Sequence, residues 1–446
     1  MSWKKVKLKQ ILKQYRIEHL VQNDIEYKQV TISKYDGVTF RGTKMGREIG
    51  RKRQFQIDLK KYPNTLMFVR QGVQDGSIGI APIEVDSCIA TENMPMFSVE
   101  GINMDFLKFL LKSPYFYNEL NKIQTTGSAQ KSIHEREILE IKIPFPDIAE
   151  QKEIVIDLLN KRDKSLNIST ELTHQLALVK QLRQSFLREA MQGKLTADFR
   201  SAHPELIEGE NCAQALLEKL KAEKKRLITD EKLKKEKELP PIKEEEIPFE
   251  IPESWVWCRL NDIITMLGDG IHGTPNYDSQ GDYYFINGNN LIDGKIEIKE
   301  NTKKVSDQEY EKYKKDLTNN TIFVSINGTL GNIAYYNKEK VILGKSACYF
   351  NLMSEIEKYY IGYYVKSSYF FKYAVDVASE TTIKNVSLKS MRLLPLPLPP
   401  LSEQQAIVSK LDKLMRTCDE LEASIRTSQQ QNEMLLQQVL REALEG

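Results

Sequence analysis

Two stretches decide the fold: residues 143–159 read IPFPDIAEQKEIVIDLL, and residues 396–412 read LPLPPLSEQQAIVSKLD. At an offset of 253, Pro144, Pro146, Glu150, Gln151, Ile154, Val155 and Leu158 meet Pro397, Pro399, Glu403, Gln404, Ile407, Val408 and Leu411. The same offset still holds where FLREAMQG (186–193) faces VLREALEG (439–446). About fifty residues align without an insertion, as rigid helices do and loops do not. Working outward, Trp3, Val6, Leu8 and Ile11 match Trp255, Cys258, Leu260 and Ile263 at an offset of 252. The chain is therefore a tandem repeat, residues 1–193 and 254–446, with sixty residues between the copies.

The 446 residues are 41% hydrophobic, 9% aromatic and 28% charged, an ordinary globular composition that excludes disorder over the whole chain. The formal net charge of +2 means that any affinity for nucleic acid must come from local clustering. No run is long and apolar enough for a membrane-spanning helix, and MSWKKVKLKQIL lacks a signal-peptide core. The five cysteines, Cys88, Cys212, Cys258, Cys348 and Cys418, form no CxxC pair. The expectation is a reduced, cytoplasmic protein without disulfides or a zinc module.

Each copy opens with short β-like runs broken by Gly and Asn, such as TLMFVRQG (65–72), YYFINGNN (283–290) and TIFVSING (321–328). A helical stretch follows, over 103–123 and about 355–378, and then a Pro-rich stop. A long helix closes the copy, with Ser402 and Glu403, or Ala149 and Glu150, at its start. In copy two a heptad runs through Ile407, Leu411, Leu414, Cys418, Leu421, Ile425, Leu435 and Val439. In copy one it runs through Ile154, Leu158, Lys161, Ser165, Ile168, Leu172, Gln175, Val179, Leu182 and Phe186. Equal seams with similar polar breaks predict an antiparallel coiled coil of roughly 60 Å. Between the copies, residues 205–250 carry 10 basic and 13 acidic side chains, which reads as a solvated linker with a helix at 216–227; the alternative is a short helix docking a partner. The expected divisions are 1–148, 149–195, 196–253, 254–400 and 401–446.

No catalytic constellation emerges. Gly344-Lys345-Ser346 lacks the earlier glycine of a phosphate loop, Glu339 standing in its place. Asp147, Glu150 and Lys152 suggest a nuclease site, but the acids are too close together, and copy two has Pro400 and Gln405 at two of these positions. His19, His134, His174, His203 and His272 show no metal-ligand spacing. No catalytic or metal-binding residue is expected.

Binding features are richer. Residues 28–70 hold 11 basic groups (Lys28, Lys34, Arg41, Lys44, Arg47, Arg51, Lys52, Arg53, Lys60, Lys61, Arg70) against Asp36, Glu48 and Asp58. That density suits a phosphate backbone, and Tyr35, Phe40, Gln54 and Gln71 are interleaved where they could approach base edges. Copy two offers amides and hydroxyls instead: His272, Thr274, Asn276, Tyr277, Asn289, Asn290, Ser325, Asn327, Thr329, Asn332, Thr381, Thr382, Lys384 and Asn385. Lys131 and Lys345 complete the expected DNA-contacting set. A solvated basic face and ordinary turn residues are the plainer readings of the same groups.

PFPDIAEQKEIV (144–155) and PLPPLSEQQAIV (397–408), with QALLEKLKAEKKRLI (214–228) and PESWVWCRLNDI (252–263), resemble the specificity subunit of type I restriction–modification enzymes. The resemblance covers the whole chain and is strongest at the repeat ends. It implies an α+β fold of two target recognition domains in tandem, each followed by a long helix, the two helices pairing as an antiparallel coiled coil. Each domain would read half of a split double-stranded DNA target, with the paired helices as a ruler for the spacer. Two methyltransferase subunits would pack on the helices, for which Glu150, Gln151, Ile154, Leu158, Glu403, Gln404, Ile407 and Leu411 are the expected interface. Two translocating nuclease subunits would join them. S-adenosylmethionine, ATP and Mg would serve the partners, with no cofactor bound by this chain. A coiled-coil scaffold whose heads bind protein is the alternative.

Overall fold

A computed structural model describes residues 3–50, 53–123, 132–207, 209–233, 237–378 and 384–445. It divides into two compact units, Met1–His174 with Ile425–Gly446, and Gln175–Ser424.

In unit 1 the strands Lys5–Lys7 and Lys142–Pro144, which open and close the globular domain, pair antiparallel. A four-stranded antiparallel sheet follows, ordered Leu12–Tyr15, Met96–Val99, Thr65–Phe68, Ile78–Ile80. Helices Met104–Leu111 and Pro114–Asn121 bury Phe106, Leu107, Leu110, Phe116 and Leu120 against Leu66, Phe68, Phe97 and Val99 of that sheet. A distal five-stranded sheet runs Glu18–His19, Gln54–Gln56, Ile89–Thr91, Glu26–Ser33, Gly37–Met45, over a second core of Val30, Ile32, Val38, Phe55 and Ala90.

Unit 2 repeats the scaffold. Val256–Arg259 pairs with Pro395–Leu398, and a four-stranded antiparallel sheet is ordered Ile264–Asp269, Ala347–Leu352, Thr321–Ser325, Ile333–Tyr335. Pro395 and Pro397 cannot donate to a ladder, and they are tolerated because this strand belongs to a two-stranded pair. The buried hydroxyls of Tyr364 and Tyr360 donate to their carbonyls at 2.5 and 2.7 Å. The distal part differs altogether: strands Lys304–Val305, Tyr283–Ile286 and Val341–Leu343, of which the last two are parallel, and a short hairpin, Leu291–Ile292 with Lys295–Ile296. The expected α+β tandem is thus a shared scaffold sheet carrying unlike distal sheets. Each helical stretch read from the sequence is two helices; in unit 1 the break falls at Ser113, which caps the second by accepting from Phe116 N, with Pro114 at its first position.

The long helices are Ile148–Met191 and Leu401–Glu445. Asp147 starts the first, its carboxylate accepting from Glu150 N at 2.9 Å, so this acid is a cap. Ser402 is not the cap of the second helix: it lies inside the first turn, where Glu403 N and Gln404 N donate to Pro400 O. The Glu-Gln pair explains the motif. Gln151 Nε2 donates to Pro146 O at 2.9 Å, while its Oε1 accepts from Asn103 N, the cap of Met104–Leu111, at 2.8 Å. Gln404 makes the same bridge from Pro399 O to Glu357 N, the cap of Lys358–Lys366. Each glutamate accepts from the tryptophan that opens its domain, Glu150 from Trp3 Nε1 at 2.8 Å and Glu403 from Trp255 Nε1 at 2.7 Å.

Within each unit the two helices run antiparallel. In unit 1, Leu440 and Leu444 share a core with Val155 and Leu158, and Asn432 Nδ2 donates to Ser165 O at 3.0 Å. In unit 2, Leu187, Ala190 and Met191 share a core with Ile407 and Leu411, and Arg183 pairs with Asp419 at 2.7 Å and Glu422 at 3.2 Å. One line of the predicted heptad is the seam: Leu158, Ser165, Leu172, Val179 and Phe186, with Leu411, Cys418, Ile425, Asn432 and Val439, are all at least half-buried. The other line holds at Ile154, Gln175, Ile407 and Leu414, which are at least half-buried, but is rotated by one residue elsewhere. Leu176, Arg183, Met415, Glu422 and Leu436 turn inward, whereas Ile168, Leu182, Leu421 and Leu435 are 49%, 38%, 44% and 58% exposed. A helix that packs on its own domain as well as on a partner helix buries a wider stripe than a two-stranded seam, and the stripe shifts toward the domain.

The interval between copies is not a solvated linker throughout. Helix Ala213–Thr229 buries Leu216, Leu217 and Leu220 in the core of unit 2, and Lys224 Nζ donates to Asn261 O. Further on, buried Arg259 grips Glu246 at 2.7 and 2.9 Å and the carbonyls of Pro240 and Pro241. That guanidinium holds the Glu246 carboxyl below the usual carboxylate range. Apolar side chains at helical spacing inside a charged run carry the docking. Leu220→Ala is expected to cost about 2–5 kcal/mol, read as a lowered midpoint in thermal or urea unfolding. A solvated helix would shift by less than about 0.5 kcal/mol.

Candidate nucleic-acid interface

Unit 1 gathers its basic residues on the outer edge of the distal sheet. Glu26–Ser33 and Gly37–Met45 form a long hairpin whose turn carries Lys34 and Tyr35, both exposed, with Lys34 Nζ 5.9 Å from the Tyr35 ring centre. Gly42 faces Gln29 and Phe40 faces Val30, so Arg41 is the extra residue of a β-bulge, beside Gly42 at φ +125°. A bulge on an edge strand re-aims a side chain and breaks the template for unwanted pairing. Phe40, Arg41 and Lys44 are exposed on this strand, and Arg47 is exposed on the turn Gly46–Glu48. That turn is fixed by close approach, since a Cβ on Gly46 would lie 1.9 Å from Gln22 O. Arg53 and Gln71 are also exposed. Arg51, Lys52 and Lys131 lie outside the described residues.

Arg70 behaves differently. Its Nη2 and Nε donate to Glu135 at 2.5 and 3.2 Å, and Arg16 and Gln14 approach the same carboxylate at 3.5 and 3.3 Å. Burial works to raise the Glu135 carboxyl, but the bonds from Arg70, its own backbone N–H and Gln14 hold it below the ordinary carboxylate range. Arg70 therefore braces unit 1 and does not extend toward a ligand.

Unit 2 brings its expected residues together at one end of the scaffold sheet. Ile271 bridges to Gly344, Asn327 bridges to Asn385, Gly288 N donates to Ser346 Oγ at 2.8 Å, and Gly328 N donates to Lys384 O at 3.2 Å. Four loops thus converge, presenting His272, Asn289, Thr329, Lys345 and Lys384 as exposed groups, with Asn327 half-buried among them. The sharp turns rely on Gly328 and Gly331, at φ +76° and +81°. His272 Nε2 lies 2.7 Å from Asp269 Oδ2. The same join is present in unit 1, where Ile133 N donates to Arg70 O as Val386 N does to Ile326 O, both at 2.9 Å.

Other expected residues have structural duties. Buried Asn290 accepts from Asn287 N and donates to Glu297 O and Thr302 Oγ1, which fixes a turn. Asn276 is held by Glu309 through its backbone and side chain, and the backbone of half-buried Asn332 donates to Ser325 Oγ. Thr274 and Tyr277 are exposed on the loop leading away from the cluster. Thr381 and Thr382 lie outside the described residues.

Sequence reasoning missed a second basic surface in unit 2. A groove of about 800 Å3 is lined by Tyr277, Tyr284, Lys299, Lys303 and Lys304. Lys304 Nζ is 5.5 Å from the Tyr284 ring centre, and Lys340 Nζ is 5.6 Å from that of Tyr283. The signal was the lysine-rich run KIEIKENTKK (295–304) after the tyrosine pair.

Most residues of the expected subunit interface are buried within the chain. Gln151, Leu158, Glu403, Gln404, Ile407 and Leu411 are buried inside their own units, and Ile154 packs against the unit 1 core. The buried members lock domain to helix, whereas Glu150 and Ile154 remain partly exposed. Among the exposed apolar groups of the long helices, which also include Ile148, Ile156, Leu166, Leu178 and Met434, are Ile168, Leu182, Leu421 and Leu435. At the offset of 253, Ile168 corresponds to Leu421 and Leu182 to Leu435.

The family model for the type I restriction modification DNA specificity domain matches residues 2–177 and 252–429. The chain belongs to this family, whose members are specificity subunits and not the catalytic ones. It is 28% identical over 380 residues to the type I restriction enzyme EcoAI specificity subunit of Escherichia coli, covering 74% of this chain and 62% of that relative. It is 22% identical to the EcoEI specificity subunit of Escherichia coli, over 83% of this chain and 68% of that one. The fold is similar to that of the HsdS subunit from Thermoanaerobacter tengcongensis, with a TM-score of 0.54 at 16% identity, covering 100% of this chain and 97% of that one. A chain solved in a study of type I R-M assembly and conformational transition gives a TM-score of 0.65, also at 16% identity, covering 100% and 98%. No described helix is long and apolar enough to cross a membrane.

A carboxyl with a lowered folded-state value stabilises above its unfolded value and loses that contribution as pH falls through the folded one. The stability of unit 1 is therefore expected to drop as the medium is acidified below about pH 4, the ordinary carboxylate value. Glu135→Gln should be less stable at pH 7 and should show a smaller acid-induced fall than the parent chain. Thermal denaturation of both chains across that pH range measures the difference.

Proposed function

We propose that the chain is the DNA-reading subunit of a type I restriction–modification complex, with one unit for each half of a bipartite target. The observation that carries this reading is a scaffold repeated in sheet order and helix lock, on which the distal sheets and their exposed polar groups differ. Two readers built on one frame but unlike at their tips fit two unlike half-sites. In unit 1, Lys34, Arg41, Lys44, Arg47 and Arg53 would hold phosphates, with Tyr35 and Gln71 at base edges. In unit 2 the loop cluster would read bases, and the lysine–tyrosine groove beside it would hold the backbone.

Two methyltransferase subunits would dock on the long helices through the repeat-equivalent groups Ile168, Leu182, Leu421 and Leu435, and translocating nuclease subunits would join them. Transfer of a methyl group from S-adenosylmethionine to adenine, and ATP- and Mg-dependent restriction, would belong to those partners. Extruding the target base costs a few kcal/mol, which a reader holding the duplex on both half-sites would help to meet.

The test is a methylome. The chain, expressed with its neighbouring methyltransferase in a methylation-free host, should direct adenine methylation to a split motif with a fixed spacer. Replacing residues 254–400 should change one half only. A soluble complex with no modified adenine would overturn the reading in favour of a protein-binding scaffold. Alanine at Arg41, Lys44 and Arg47 should flatten the dependence of log K on log salt by about 0.9 for each phosphate no longer neutralised, measured by fluorescence anisotropy. Leu182→Asp with Leu421→Asp should abolish co-purification of the methyltransferase and leave the circular dichroism spectrum unchanged.

A further inference from the structure

In unit 2 the start of the second long helix is closed over. Glu403 accepts from Trp255 Nε1 at 2.7 Å, from Thr196 Oγ1 at 2.6 Å and from Arg200 Nη1 at 2.6 Å, and its side chain has 0% exposure. The Arg200 guanidinium lies 6.0 Å from the Trp255 ring centre, so one arginine neutralises the acid and covers the indole. The covering segment leaves the first long helix at Gly193, in the left-handed region at φ +70°, then passes through the turn Lys194–Thr196 and the short helix Ala197–Ala202. Leu401 and Leu195 pack against the core beside it.

Unit 1 has the same indole–carboxylate pair, Trp3 Nε1 to Glu150 Oε1 at 2.8 Å, but both residues are partly exposed. Ile148, which stands where Leu401 stands in unit 2, is 44% exposed. Among the described residues, Trp3 is the side chain that bonds the Glu150 carboxylate, and no threonine or arginine reaches it. The two ends are built alike and covered differently. The unit 2 arrangement shows which chemistry completes such a face: a hydroxyl and, four residues later on the same side of a helical turn, a guanidinium.

We propose that the Trp3–Ile148–Glu150 face of unit 1 is a docking site for a polypeptide segment with the chemistry of Lys194–Ala202, namely an apolar residue, an adjoining threonine and an arginine four residues after it. The occupant is protein, because a carboxylate repels phosphate. Arginine is specified over lysine, because only its planar fork bonds the carboxylate while lying over the indole. The proposal is independent of DNA reading.

The test uses the full chain and a fluorescent peptide of residues 193–203, GKLTADFRSAH. Saturable binding by anisotropy is expected, weaker by about tenfold when alanine or lysine replaces the arginine of the peptide, and weaker by about tenfold for the Glu150→Gln chain. A second measurement does not depend on affinity in trans. With residues 194–202 fused in register behind Gly446, the melting temperature of unit 1 should rise, and Glu150→Gln should abolish the rise. Peptide binding indifferent to both substitutions would overturn the proposal, as would a fusion that leaves the melting temperature unchanged.

Discussion

Everything else in this molecule depends on one buried glutamine in each copy. A long helix attached to a domain only by its chain would swing at the Pro-rich junction. Gln151 and Gln404 prevent this with one amide used at both ends, donating to the carbonyl of the last proline stretch and accepting from the backbone of a helix cap inside the domain. Both glutamine side chains are fully buried, so breaking the bridge leaves a buried carbonyl and a partly buried N–H unsatisfied. The neighbouring glutamate ties in the opening strand through tryptophan. Entry strand, exit strand and helix start are thereby held at one point.

That lock makes the division of labour possible. The scaffold sheet recurs in strand order and the lock in its Trp, Glu and Gln, whereas the distal sheets share neither strand number nor order.

Much of this was legible in the sequence because it is periodic or punctuated. The repeat, the Pro-x-Pro exits, the long helices and one heptad line follow from spacing alone. The second heptad line does so only in part: Ile407 and Leu414 face inward, but at Leu421 and Leu435 a helix also packed on its own domain turns Glu422 and Leu436 inward instead. The docked helix after the first copy was hidden by its charge, because Leu216, Leu217 and Leu220 sit among lysines and glutamates. Arg70 illustrates the limit for sites. Its partner Glu135 lies 65 residues away, and nothing local distinguishes a guanidinium held by a buried acid from one facing solvent. Asn290 was misleading in the same way, a turn-fixing amide beside an exposed one.

The division into units has a consequence for how the chain is made. Unit 2, Gln175–Ser424, is continuous, and every part of its core is synthesised before residues 425–446. Unit 1 is discontinuous: Leu440 and Leu444 belong to the core built on Val155 and Leu158, so the half synthesised first is completed last. During synthesis the nascent first domain must hold an unfinished apolar surface while roughly 250 further residues are added, at about 5–20 residues per second. The half of unit 1 translated earlier is thus exposed for longer to chaperones and to misassembly than unit 2 is.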